Sequence, residues 1–106
     1  MATTKTTHIN VSKTDNELYI LASTPSGSSE IVHIKSGFNN PVVYDVIPQS
    51  ILAPGNYDLT VVGINWGGPW AFTVTLTHSS GAPTILTGSG TGTVGDVFRQ
   101  TVAITV

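Results

Sequence analysis

Apolar and polar residues alternate along the segment 70–78 of this 106-residue chain. On an extended chain, one side of this segment would carry the apolar residues Trp70, Phe72, Val74 and Leu76. The other side would carry Ala71, Thr73, Thr75 and Thr77. A period of two residues predicts a strand of an antiparallel sheet with one buried and one solvated face. We therefore expect Trp70 to lie in the core.

A second β-prone segment, 56–65, precedes this strand and is separated from it by a short turn. The turn between Asn65 and Trp70 has the sequence NWGGPW, in which glycine and proline favour a reversal of the chain. Turn residues between two apolar segments of this kind predict a β-hairpin. The hairpin would hold both tryptophans of the chain.

Further segments rich in threonine, valine and isoleucine lie between glycine and proline residues along the rest of the chain. These predicted strands are 8–11, 17–24, 30–35, 41–47, 84–87 and 97–106. No stretch of ten residues has apolar residues at helical spacing. The pattern predicts an all-β, antiparallel two-sheet β-sandwich of jelly-roll or immunoglobulin-like type with about eight strands. We expect a flexible N-terminal segment at 1–7 and a single sandwich domain at 8–106.

Few residues of the chain are charged. Charged residues make up 9% of the sequence, against about 25% in an average domain. With four basic residues and a formal net charge of −2, the chain lacks the basic surface that nucleic acids require. A surface of hydroxyl and amide groups suits a neutral sugar or a second subunit. The absence of cysteine excludes disulfides and zinc–thiolate sites.

The first eleven residues contain no apolar core of a secretory signal. Either a signal has already been removed, or the protein is made in the cytosol and stays there or leaves without a signal. No apolar run approaches the roughly 20 residues of a transmembrane helix. Localisation therefore stays open.

Residues that could carry catalysis or bind a metal are scattered along the chain. None of His8, His33 and His78 lies in a metal-binding spacing, although three strand positions could still converge in space. Six acidic residues in so small a domain do not suggest the paired carboxylates and cleft of a glycosidase. The glycine-rich segment 88–95 is followed by a strand rather than the helix of a phosphate-binding loop, which predicts a flexible loop. We expect no enzymatic activity, no cofactor and no resident metal.

One loop has the chemistry of a sugar-binding site. Trp66 is in phase with Ile64, which would bury it, but two glycines follow it and offer little cover, so burial and full or partial exposure both stay open. An indole can stack on the apolar face of a sugar ring while nearby amides bind its hydroxyls. A second candidate loop covers residues 38–40, where an aromatic residue lies beside two amides. The predicted ligand-binding residues of the two loops are Trp66, Asn65, Asn39, Asn40 and Phe38. Phe38 has an alternative role as an anchor of its loop.

Several predicted strands carry apolar residues on both faces. In the second strand, Tyr19 and Leu21 alternate with Leu18 and Ile20. Edge strands are normally protected by charged residues, which are scarce in this chain. We expect a homo-oligomer, whose repeated sites would add avidity to weak binding.

The sequence contains no family motif. Its short, cysteine-free composition, rich in Thr, Ser, Gly and Asn, resembles that of small neutral lectins of bacteria and fungi, which implies carbohydrate binding. The segments THINV at 7–11 and PGNY at 54–57 are similar to aegerolysins, which are small acidic β-sandwich proteins that bind lipid and act with pore-forming partners. The leading prediction is a non-enzymatic, lectin-like module for a neutral glycan. The alternatives are a membrane-lipid-binding component of a pore-forming toxin and a structural, self-assembling protein.

Overall fold

Eight strands form two antiparallel sheets that pack face to face. A computed structural model describes residues 4–35, 44–92 and 94–106, except for the side chain of Asp15. The strands are β1 (Thr6–Asp15), β2 (Glu17–Thr24), β3 (Gly27–Lys35), β4 (Tyr44–Val46), β5 (Asn56–Asn65), β6 (Pro69–His78), β7 (Thr84–Thr91) and β8 (Gly95–Thr105). A 3-10 turn covers Pro48–Ser50. No helix in these described ranges is long and apolar enough to span a membrane.

Each sheet contains four strands. Sheet A has the order β4-β1-β6-β7, and sheet B has the order β3-β2-β5-β8. The predicted all-β sandwich of about eight strands is therefore confirmed. The chain forms local hairpins at β2–β3 and at β6–β7, and its other connections cross from one sheet to the other.

The core lies between the inner faces of the two sheets. The predicted alternation holds in β6, where Phe72, Val74 and Leu76 are fully buried. Phe72 contacts Phe98 of sheet B with 5.7 Å between ring centroids. Trp70 also packs against this core, 5.9 Å from the Phe72 ring, but it remains half-buried.

Glycines make room for the aromatic rings of the core. A Cβ atom at Gly63 would lie 2.6 Å from the Phe72 ring, and one at Gly88 would lie 2.7 Å from Phe98. A Cβ atom at Gly90 would lie 2.7 Å from the Trp70 indole. Gly88 and Gly90 belong to β7, so the prediction of a flexible loop over 88–95 is wrong for residues 88–91.

The hairpin predicted for the segments 56–65 and 70–78 is also wrong. β5 lies between β2 and β8 in sheet B, whereas β6 lies between β1 and β7 in sheet A. Each strand already has two paired neighbours, so the two cannot pair with each other. Gly67 and Gly68, with φ values of 144° and 74°, carry the chain from one sheet to the other. Alternation specifies which face a strand buries, but it does not specify the neighbours of that strand.

The first strand begins earlier than the sequence predicts. β1 starts at Thr6, which is buried and pairs with His78 of β6. The strand start predicted at residue 8 therefore moves to residue 6. Lys5, just before the strand, exchanges hydrogen bonds with Ser79. Residues 1–3 lie outside the described residues, as do residues 41–43 of the strand predicted at 41–47.

We predict that Gly63→Ala destabilises the fold by about 1–3 kcal/mol, because the added methyl group overlaps the fully buried Phe72 ring. Urea denaturation followed by tryptophan fluorescence measures this loss. Ser89→Thr is the matched control, since it adds a methyl group at an exposed strand position and should change stability by less than about 0.5 kcal/mol. Equal stabilities for the two variants would contradict the proposed close packing at Gly63.

Candidate functional site

Trp66 is an exposed tryptophan whose polar groups are held by other side chains. It follows β5 directly, and 63% of its surface is exposed. Its backbone N–H donates to Oδ1 of Asn16 at 2.8 Å. Its indole Nε1–H donates to Oε1 of Glu17 at 3.1 Å. Two hydrogen bonds therefore fix both the backbone and the ring, while much of the indole remains open to solvent.

Asn65 holds the turn that carries Trp66. The Asn65 side chain has no exposed surface. Its Nδ2 donates to the Gly68 carbonyl at 3.1 Å, and its Oδ1 accepts the Gly67 N–H at 3.2 Å. The amide of Asn65, which we predict to contact a ligand, therefore has no surface exposed to solvent in the structure. Asn65 instead sets the path of the turn and so the position of the neighbouring indole.

The other predicted ligand-binding residues are Phe38, Asn39 and Asn40. All three lie outside the described residues, within the range 36–43. Their contribution to a site stays a prediction. Among the described residues of the predicted set, Trp66 alone exposes its side chain.

Glu17 joins several ring-bearing residues through one carboxylate. This residue begins β2 and is 2% exposed. Its Oε2 accepts a hydrogen bond from the Tyr19 hydroxyl at 2.8 Å and lies 2.6 Å from Nε2 of His33. Its Oε1 accepts the indole N–H of Trp66. We call Glu17, Tyr19, His33 and Trp66 the Glu17 cluster.

The rings of the Glu17 cluster also contact each other and their surroundings. Tyr19 and His33 stack with 4.1 Å between centroids and 17° between ring planes. Nδ1 of His33 lies 3.4 Å from Oε1 of Glu30, which is half exposed. Since an ionised carboxylate can only accept hydrogen bonds, Nε2 of His33 carries the proton in its contact with Glu17. The imidazole therefore stacks on Tyr19, bonds to Glu17 and lies beside Glu30.

The electrostatics of the cluster keep Glu17 ionised. Burial on its own would raise the pKa of Glu17. Hydrogen bonds from His33, Tyr19 and Trp66, together with the positive charge of Lys35, outweigh burial and lower this pKa below its usual 4.5. The hydrogen bond to Glu17 raises the pKa of Tyr19, and burial and the nearby negative charges add to that rise. At neutral pH the cluster therefore contains a carboxylate that accepts hydrogen bonds from neighbouring rings.

Sequence reasoning missed Glu17 as a member of the site. It predicts Glu17 only as the first residue of the strand 17–24 and treats the six acidic residues as scattered. The available signal was the position of Glu17, which shares with Tyr19 the face of β2 opposite the core. The partners His33 and Trp66 depend on the pairing of β2 with β3 and β5, and that register is not visible in one sequence.

The three histidines do not converge. His33 lies in sheet B, whereas His8 and His78 lie in sheet A. The His78 ring contacts the hydroxyls of Thr6 and Thr84 at 3.1 Å and 2.9 Å. Among the residues that the structure describes, no group of three His, Asp or Glu side chains could hold a metal ion.

A groove lies far from Trp66, at the opposite end of sheet B. It has a volume of about 310 Å³, and Asn56, Asp58 and Thr105 are among the residues that line it. Asn56 begins β5 and Asn65 ends it, so the two ends are roughly 30 Å apart at the usual rise of a strand. The groove and the indole are therefore separate features, and the indole presents an open surface instead of a cavity.

Comparisons of the chain with protein-family models, with curated proteins and with solved structures found no match. The function is therefore inferred from the geometry of the Glu17 cluster and the turn beside it.

We predict that Glu17→Gln loosens the Trp66 indole and destabilises the fold by about 1–3 kcal/mol, because hydrogen bonds to a charged acceptor are replaced by weaker ones. Acrylamide quenching of tryptophan fluorescence should increase, and the urea midpoint should fall. Glu30→Gln is the matched control, since Glu30 is half exposed and contacts only the outer edge of the cluster. An unchanged quenching constant in Glu17→Gln would show that the carboxylate does not hold the indole.

The lowered pKa of Glu17 predicts a loss of stability in acid. Its folded-state pKa lies below the unfolded value of 4.5, so its stabilising effect is complete above that value and disappears as pH falls through the folded pKa. We expect the free energy of unfolding to fall more steeply below about pH 5 in the native protein than in Glu17→Gln. Urea titrations between pH 7 and pH 3 test this difference. Parallel pH profiles for the two proteins would argue against the assignment.

Proposed function

We propose that the protein is a non-enzymatic, lectin-like module that binds a neutral glycan on the Trp66 indole. The observation that carries the proposal is the combination of 63% exposure with two hydrogen bonds that fix the residue. An exposed aromatic ring held in one orientation loses little conformational entropy when a ligand stacks on it. This pre-organisation favours a binding role over an incidental surface position.

The chemistry around the indole favours an uncharged ligand. The nearest carboxylate belongs to Glu17, and both of its oxygens already accept hydrogen bonds from ring donors. On the face of sheet B that carries Glu17, Asp96 and Arg99 form an ion pair with 2.8 Å between Oδ2 and Nη2. Polar groups such as the Thr60 and Thr101 hydroxyls lie on that face as well. A sugar ring, with apolar C–H faces and hydroxyl edges, fits this mixture of an aromatic ring and neutral polar groups.

The residues of the proposed site have different roles. Trp66 supplies the stacking surface, and Glu17 and Asn65 are positioning residues that fix the ring and its turn. Asn39 and Asn40 are the proposed hydrogen-bond donors and acceptors for sugar hydroxyls. Phe38 is proposed as a second apolar contact in the same loop.

A single indole with a few hydrogen bonds binds a sugar weakly. Several copies presented together on a glycan-bearing surface would raise the effective affinity by about 100-fold or more without new contacts at each site. A homo-oligomer is therefore part of the proposal, because avidity would compensate for the small area of each site.

We predict that Trp66→Ala abolishes glycan binding and that Trp66→Phe retains part of it, because phenylalanine keeps a smaller stacking surface. Glycan-array screening identifies the ligand, and titration with that glycan measures the affinity of each variant. Tyr44→Ala is the matched control, since Tyr44 is another exposed aromatic residue, at 48%, but lies in sheet A.

The outcomes of these measurements separate the proposed function from its alternatives. No binding to any glycan, or equal binding by Trp66→Ala and the native protein, would remove the basis of the proposal. Co-sedimentation with liposomes of bare phospholipid, in the absence of glycan binding, would instead support a lipid-binding toxin component. Large, polydisperse species in light scattering would support a structural, self-assembling protein.

A further inference from the structure

The two sheets of the sandwich have four edge strands. Sheet A ends at β4 and β7, and sheet B ends at β3 and β8. On its free side, each edge strand presents backbone N–H and C=O groups that can pair with another strand. Natural proteins block such pairing with short strands, charges, prolines or bulges. The four edges of this protein differ in how far they are blocked.

Three of the four edges carry such protection. β4 carries a charge, Asp45, within its described residues Tyr44–Val46. β3 carries Glu30 and Lys35, and its pairing with β2 shifts register at Ile31. β8 carries the Asp96–Arg99 ion pair, and its pairing with β5 shifts register at Val97. Charge and bulges therefore disfavour strand addition at both edges of sheet B, and the charge of Asp45 disfavours it at β4.

The remaining edge, β7, has none of these features. Its eight residues, Thr84–Thr91, have the sequence TILTGSGT, which contains no charge and no proline. Its pairing with β6 runs without a shift from Pro69 and Thr91 to Leu76 and Thr84. Ile85 exposes 59% of its surface on this strand, and Val94, which follows it in the chain, exposes 63%. The strand is long, regular, uncharged and partly apolar.

We propose that β7 is a dimer interface, where it pairs antiparallel with β7 of a second copy of this chain. A two-fold axis through the pair would join the two A sheets into one continuous sheet. In a symmetric contact, each side chain meets residues from the same short sequence, so like charges would face each other if any were present. β7 has no charge and therefore suits self-pairing, which also covers Ile85.

Pairing through β7 is compatible with an accessible Trp66. The interface belongs to the edge of sheet A, whereas the indole follows β5 at the centre of sheet B. The dimer would therefore present two indoles at once. The inference about β7 stands independently of glycan binding, because it rests on the comparison of the four edges.

Light scattering coupled to size exclusion tests the dimer. We expect the native protein to have about twice the chain mass of 11.1 kDa and to dissociate on dilution, since a single strand pair buries less surface than a standard interface. Ile85→Lys and Ser89→Lys should each raise the dissociation constant by about ten-fold or more. Each substitution adds a positive charge to both of the paired strands, and these like charges repel each other. Gln100→Lys on β8 is the matched control and should leave the mass unchanged.

Amide hydrogen exchange on the native protein provides a second test that needs no variant. If β7 pairs with its copy, amides on its free side should exchange more slowly at high protein concentration than at low concentration, while those of β3 and β8 should not change. A monomer at all concentrations would overturn the proposal. An oligomer that survives both lysine changes on β7, or that shows no protection there, would overturn it as well.

Discussion

The structure depends on the burial of apolar side chains between two sheets, because this cysteine-free chain has no disulfides to hold the sheets together. Packed sheets lie about 10 Å apart, and here Phe72 and Phe98 stack within that space. Gly63 and Gly88 lie against these rings at positions where a Cβ atom would overlap them. Each aromatic ring therefore packs against a glycine, which has no side chain, on the opposite sheet. This packing allows both sheets to approach closely. The site depends on this packing, because Trp66 lies on the connection that the packing requires.

The crossing between the sheets explains why the turn after β5 is so strongly held. Because β5 and β6 are central strands of different sheets, their short connection must cross the edge of the core. Asn65 bonds to the backbone of both glycines, and Asn16 of the β1–β2 connection binds the Trp66 N–H. Two connections between the sheets thus meet at one end of the sandwich. Glu17 directly follows Asn16, so its carboxylate lies where it can bond the indole.

The sequence predicts the features that depend on local periodicity, such as which residues of a strand are buried. It does not predict the features that depend on which strands pair with each other. The alternation in β6 correctly predicted the buried Phe72 and the all-β sandwich. The glycines at 67 and 68 suggested a hairpin, although they form a crossing between sheets. Gly88 and Gly90 suggested a loop, because a glycine that makes room for an aromatic ring looks like turn chemistry in a sequence. The Glu17 cluster could not be predicted, because its members approach only once β2 is paired with β3 and β5.

The few charged residues of the chain have different effects in different parts of the molecule. Where charges do occur at the edges of sheet B, they accompany bulges and protect β3 and β8 from further pairing. Glu17 is almost fully buried, and its cost of desolvation is offset by hydrogen bonds from three rings. The edge of β7 lacks charge altogether, so nothing in its sequence opposes contact with an identical strand. The scarcity of charge that motivates the proposal of a neutral ligand at Trp66 is thus also the basis for the proposed pairing of β7 with a second copy of the chain.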